Sequence, residues 1–87
     1  MKIVYSKKFV SEYKKLTLDL RLLAEEKEKI FKTNPFDSRL KTHKLTGRLR
    51  EYWSFSINRK YRIIVHFEAK SEAWFISIGT HNIYRRR

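Results

Sequence analysis

The stretch from Ile76 to Arg87 reads I-S-I-G-T-H-N-I-Y-R-R-R and sets a histidine, a tyrosine and three arginines directly after a strand-like run. Histidine and tyrosine can move protons, and arginine clamps phosphate oxygens through a planar fork of donors. Groups of the same kind recur at His43-Lys44 and at Arg62. Together they suit cleavage of RNA without a metal. That reaction needs a base for the 2'-hydroxyl proton, cations for the charge building on phosphorus and an acid for the leaving 5'-oxygen. Each residue also has a plainer role open to it: an exposed histidine in a basic loop is ordinarily just solvated, Tyr84 can plug the core, and Arg62 can pair with Glu51 or Glu68. His43, His66 and His81 lack the spacing of metal ligands, and no Asp or Glu lies close to His43 or His81. The chain has no cysteine, no nucleophile elbow and no glycine-rich phosphate loop. No cofactor is expected.

Composition narrows the partners. The 87 residues carry 21 Lys and Arg against 9 Asp and Glu, a formal charge of +12, which points to a polyanion and first of all to nucleic acid. The excess is concentrated after residue 37, where only Glu51, Glu68 and Glu72 are acidic. Hydrophobic residues make up 41% of the chain, enough for a core, and the two glycines and one proline leave no linker, so residues 1–87 are expected to form a single domain. No apolar run is long enough for a membrane span, and M-K-I-V-Y does not begin a signal-like stretch. A cytoplasmic location is the expectation.

The elements that must hold these residues follow from periodicity. Lys2 to Tyr5 is rich in strand formers, and Ser6 can cap a helix whose apolar stripe is Phe9, Tyr13 and Leu16. Thr17 and Asp19 suggest a break and a second helix with Leu20, Leu23, Ala24, Lys27, Ile30 and Phe31 facing inward, ended at Asn34-Pro35. Glu51–Asn58 and Tyr61–Glu68 then alternate as strands, and Ala73–Ile78 makes a third. The expected fold class is α+β, with an N-terminal strand and a two-helix hairpin packed on one face of an antiparallel meander. If Trp53, Phe55 and Ile57 face the helices, then Ser54, Ser56, Arg62 and His66 lie on the open face. Arg62 beside short hydroxyl residues is there either a phosphate seat or a paired surface charge. Tyr52, on the side away from Trp53, is free to stack on an unpaired base.

The order of strand, helical hairpin, N-P-F, T-H-K-L-T-G, Y-W-S-F-S-I, Y-R-I-I and G-T-H-N-I-Y resembles the RelE/ParE superfamily of type II toxins, over essentially the whole chain. Within it, Leu40–Arg62 and the closing G-T-H-x-x-Y look like the RelE, YoeB and YafQ branches. The resemblance implies a ribosome-dependent, metal-independent endoribonuclease acting on mRNA in the ribosomal A site and held inactive in a hetero-oligomer with an acidic antitoxin. It implies Arg62 as the phosphate clamp, His43 and His81 as the proton-transfer pair and Tyr84 as stacker or auxiliary acid. Lys41, Lys44, Arg48, Tyr52, Arg59 and Arg85 are then the expected RNA contacts. Ser54 and Ser56 stand where RelE has lysines, and Arg39-Leu40-Lys41 stands where YoeB has a glutamate, which leaves the general base open between the two histidines. The alternatives are a ParE-like gyrase poison with no nuclease chemistry, or an RNA-binding domain without catalysis.

Overall fold

The computed structural model describes residues 1–85, the last of them by backbone alone. The chain runs β1 (Lys2–Tyr5), α1 (Lys7–Lys14), α2 (Leu18–Thr33), β2 (His43–Lys44), β3 (Trp53–Ser56), β4 (Arg62–Ala69), β5 (Glu72–Gly79) and α3 (Asn82–Arg85). Short 3-10 turns at Ser38–Leu40 and Gly47–Leu49 flank β2. The helix starts are where the cap residues put them: Ser6 Oγ accepts from Phe9 N at 3.0 Å and Thr17 Oγ1 from Leu20 N at 3.3 Å.

The sheet order is β1-β5-β4-β3-β2. Strands β3 to β5 pair antiparallel as expected and β2 adds antiparallel to β3, but β1 joins β5 in parallel, so the sheet is mixed and not a pure meander. A strand followed by two covering helices returns to the far edge of the sheet, and this crossover sets the parallel sense. The two-residue β2, too short to leave an alternation, was not foreseen.

Phe31 of α2 meets Phe55 of β3 at 4.9 Å between ring centroids and Phe75 of β5 at 5.3 Å. All three are buried, with Phe9, Leu40, Ile63 and Val65 around them. This core fixes which side of β3 and β4 faces the helices. The register Ser54↔Ile64 and Ser56↔Arg62 then puts those four on the opposite face.

The C-terminal half of β5 reaches past the end of β1, and its edge is closed by side chains. Ser6 Oγ donates to the Ile76 carbonyl at 2.7 Å, while the Glu12 carboxylate accepts from Ser77 Oγ at 2.7 Å and from Ile78 N at 3.0 Å. These groups are buried or half-buried, so leaving them unpaired would be costly. Beyond β5 the chain folds back as α3 on the open face, where Ile83 is buried against Gly79.

A cleft of about 540 Å³ separates α1 from α2, with Tyr5, Phe9 and Tyr13 in its wall and Ile63 and Phe75 at its floor. Tyr13 Oη donates to the Glu25 carboxylate at 2.7 Å and Tyr5 Oη to Glu28. Burial first, and then the bonded carboxylate, push the Tyr13 phenol up to about 12, and the same causes raise Tyr5.

Two outcomes are expected. A Cβ on Gly79 would sit 2.6 Å from Ile83 Cγ2, and buried, β-branched Ile83 cannot turn aside. Gly79→Ala should therefore cost about 1–3 kcal/mol in a urea melt and should speed hydrogen exchange first in α3. In alkali, a phenol whose folded pKa lies above its unfolded value contributes stability that is complete below pH 10 and is lost as pH rises through about 12. Melts across that window should fall more steeply for the parent chain than for Tyr13→Phe.

Candidate active site on the open sheet face

The site is built outward from Ser54. Its side chain is fully buried on the open face, and its Oγ shares a 2.7 Å hydrogen bond with Tyr84 Oη of α3. That bond pins the phenol over the sheet. His81 lies against the same ring, with centroids 5.6 Å apart at 66°. Across the strand pair, His43 is directly opposite Ser54, and opposed residues project to one side of a sheet.

Backbone geometry orients His43. Lys41 has φ of 54°, a left-handed conformation uncommon outside glycine, and the turn it makes brings its carbonyl 3.0 Å from His43 Nδ1. A carbonyl can only accept, so Nδ1 carries the proton. In the neutral ring, Nε2 is then an unprotonated acceptor.

Arg62 is one alternation step along β4, opposite both Ser56 of β3 and Gly79 of β5. Its Nη1 lies 2.6, 3.2 and 3.2 Å from the carbonyls of Asn58, Arg59 and Tyr61. Asn58 shapes that loop, its Oδ1 accepting from the backbone N of Lys60 and Tyr61 at 2.9 and 2.8 Å. Pairing of Arg62 with Glu51 or Glu68 is not what the structure shows. The ion pairs among the described residues are Arg39 with Asp37 and His66 with Glu68. The first sits in the turn before β2, where bonds from Arg39 hold the Asp37 carboxyl down to about 2.

The remaining expected RNA contacts divide. Tyr52 is on the open face, edge-on to His66 at 5.9 Å. Lys41, Arg48 and Arg59 are exposed, the first two in the turns on either side of β2 and the third in the loop between β3 and β4. Lys44 is opposite Trp53, so alternation turns it to the helix side and away from His43. The side chain of Arg85 lies outside the described residues. Sequence reasoning missed Ser54 as an anchor for Tyr84, Asn58 as the shaper of the Arg62 loop, and the left-handed turn at Lys41. Of these, only Ser54 left a signal, a small polar residue alternating with aromatics. Among the described residues no three His, Asp or Glu side chains gather as metal ligands would.

No protein-family model matches the chain, and no curated protein sequence does. Solved structures do. A YoeB/ParE toxin from Agrobacterium tumefaciens is 20% identical with a TM-score of 0.79, the match covering 93% of this chain and 99% of that one. YoeB of a YoeB-YefM complex from Staphylococcus aureus is 21% identical with a TM-score of 0.77, covering 93% and 97%. YafQ from E. coli strain BL21(DE3) is 19% identical with a TM-score of 0.71, covering 95% and 96%. The fold is thus that of the RelE/YoeB/YafQ-like toxins, as the resemblance in the sequence implied.

Proposed function

We propose that this chain is the toxin of a toxin-antitoxin pair and that it acts as a metal-independent endoribonuclease on mRNA in the ribosomal A site. The observation that carries the reading is the gathering of His43, Ser54-bound Tyr84 and His81 on one sheet face, with Arg62 a single alternation step away. The likeness in fold to YoeB and YafQ supports a toxin, and the complex of one of these with YefM supports a protein partner. For a chain of charge +12 that partner is an acidic antitoxin, its grip weakened by salt.

The chemistry follows from the donors present. One imidazole, with His43 Nε2 suited by its tautomer, takes the 2'-hydroxyl proton. The freed 2'-oxygen attacks phosphorus, and the bond from phosphorus to the 5'-oxygen breaks. A second group, His81 or the neighbouring Tyr84 phenol, returns a proton to that oxygen, leaving a 2',3'-cyclic phosphate and a 5'-hydroxyl. Arg62 stabilises the charge on the non-bridging oxygens. Its Nη1 is anchored by the loop carbonyls, which leaves Nε and Nη2 to make the paired contact a phosphate accepts. A fixed guanidinium needs no reorganisation as charge develops, and this is where such donors gain their effect.

Arg62→Ala should lower the cleavage rate by about 10²–10³, the loss of about 2.7–4 kcal/mol of transition-state stabilisation, while the circular dichroism spectrum stays that of the parent. Arg62→Lys should not restore the rate, because a point charge cannot replace the fork. Full toxicity of both Arg62→Ala and His81→Ala on expression would overturn the assignment of the site.

A further inference from the structure

We infer that the aromatic cleft beside the proposed site, formed by Tyr52, His66 and Trp74, binds one unpaired RNA base and selects bases bearing an exocyclic amine over uracil. The inference rests on reading this sheet face as the RNA face. Tyr52 precedes Trp53, which is opposite Val65, and His66 is opposite Trp74, so the three rings form one row across β3, β4 and β5. They enclose a cleft of about 200 Å³ whose wall is completed by Glu51, Glu68 and Ile76. The rings are held in place: Trp74 Nε1 donates to Glu72 Oε2 at 2.9 Å, and His66 Nε2 is 3.3 Å from Glu68 Oε2. The Trp74 residue nonetheless leaves 37% of its surface in water. An indole tethered by its N–H and left wet on an open sheet is a surface on which an unpaired base can stack.

Charge decides what kind of group enters. Glu51, Glu68 and Glu72 are the only acids after residue 37, and all three border this cleft or hold its rings. Carboxylates repel a phosphate, so the RNA backbone does not run through the cleft. They do accept from the amines of cytosine, adenine and guanine, whereas uracil presents a carbonyl at the equivalent position of the cytosine amine. Position agrees with this. Two residues along a strand advance about 7 Å, so the ring row is one such step from Ser54 and two from Arg62. That is within one or two nucleotides of a phosphate seated on Arg62.

The test is binding of the full chain to hexanucleotides of C, A or U made uncleavable by 2'-O-methylation, followed by anisotropy at low salt. Cytosine against uracil is the deciding comparison, since both are pyrimidines. The C hexamer should bind about fivefold or more tighter than the U hexamer. The double variant E51A/E68A should bring that ratio close to one. Trp74→Ala, exposed enough to spare the fold, should weaken all three by about tenfold. Equal binding of C and U by the parent chain, or a ratio that the double variant leaves unchanged, overturns the inference. A chain that separates C from U yet cuts no RNA would keep the cleft and end the nuclease reading. A chain that cuts RNA yet binds both hexamers alike would do the reverse.

Discussion

Everything on the open face depends on one constraint, the two-residue alternation of β3 and β4 as locked by aromatic packing behind it. Phe31, Phe55 and Phe75 bury their rings together between helix and sheet. A slip of one residue would bring Ser54 and Arg62 into that core and push Phe55 and Ile63 into water. The cost of several buried aromatic and aliphatic side chains forbids it. The polar set is thereby placed on that face, and the bonds of Ser54 to Tyr84, of Arg62 to its loop and of His43 to the Lys41 carbonyl then orient its members.

The second half of the site is assembled by closure of β5. Its overhang beyond β1 would present unpaired backbone groups, and α1 meets them with Ser6 and Glu12. With that edge closed, Gly79 lets α3 settle close on the opposite face through Ile83, and Tyr84 reaches Ser54. The cleft between α1 and α2 is larger than the ring cleft, yet it lies behind the sheet and its lining includes none of the expected site residues. Its mixed border of Lys14, Arg21, Glu25 and Glu28 suits a surface that meets protein more than one that performs chemistry.

Much of this was legible in the sequence, where local rules are strong. The caps at Ser6 and Thr17, the stop at Asn34-Pro35 and the alternation of β3 and β4 are each set by neighbours within a few residues. The same alternation placed Arg62 on the open face. What was hidden depends on contacts distant in the chain: the parallel return of β1, the pairing of two-residue β2 with β3, and the bond between Ser54 and Tyr84. Lys41 in a left-handed turn had no glycine or asparagine to mark it. Lys44 was counted with His43 as a neighbour in sequence, whereas a strand sends adjacent side chains to opposite faces.

The proposed cleavage of mRNA can be checked by mapping new 5' ends of cellular mRNA within minutes of inducing the chain without a partner. Fresh 5'-hydroxyl ends inside coding regions should appear with the parent chain and be lost with Arg62→Ala. Growth arrest with intact mRNA would rule the nuclease reading out.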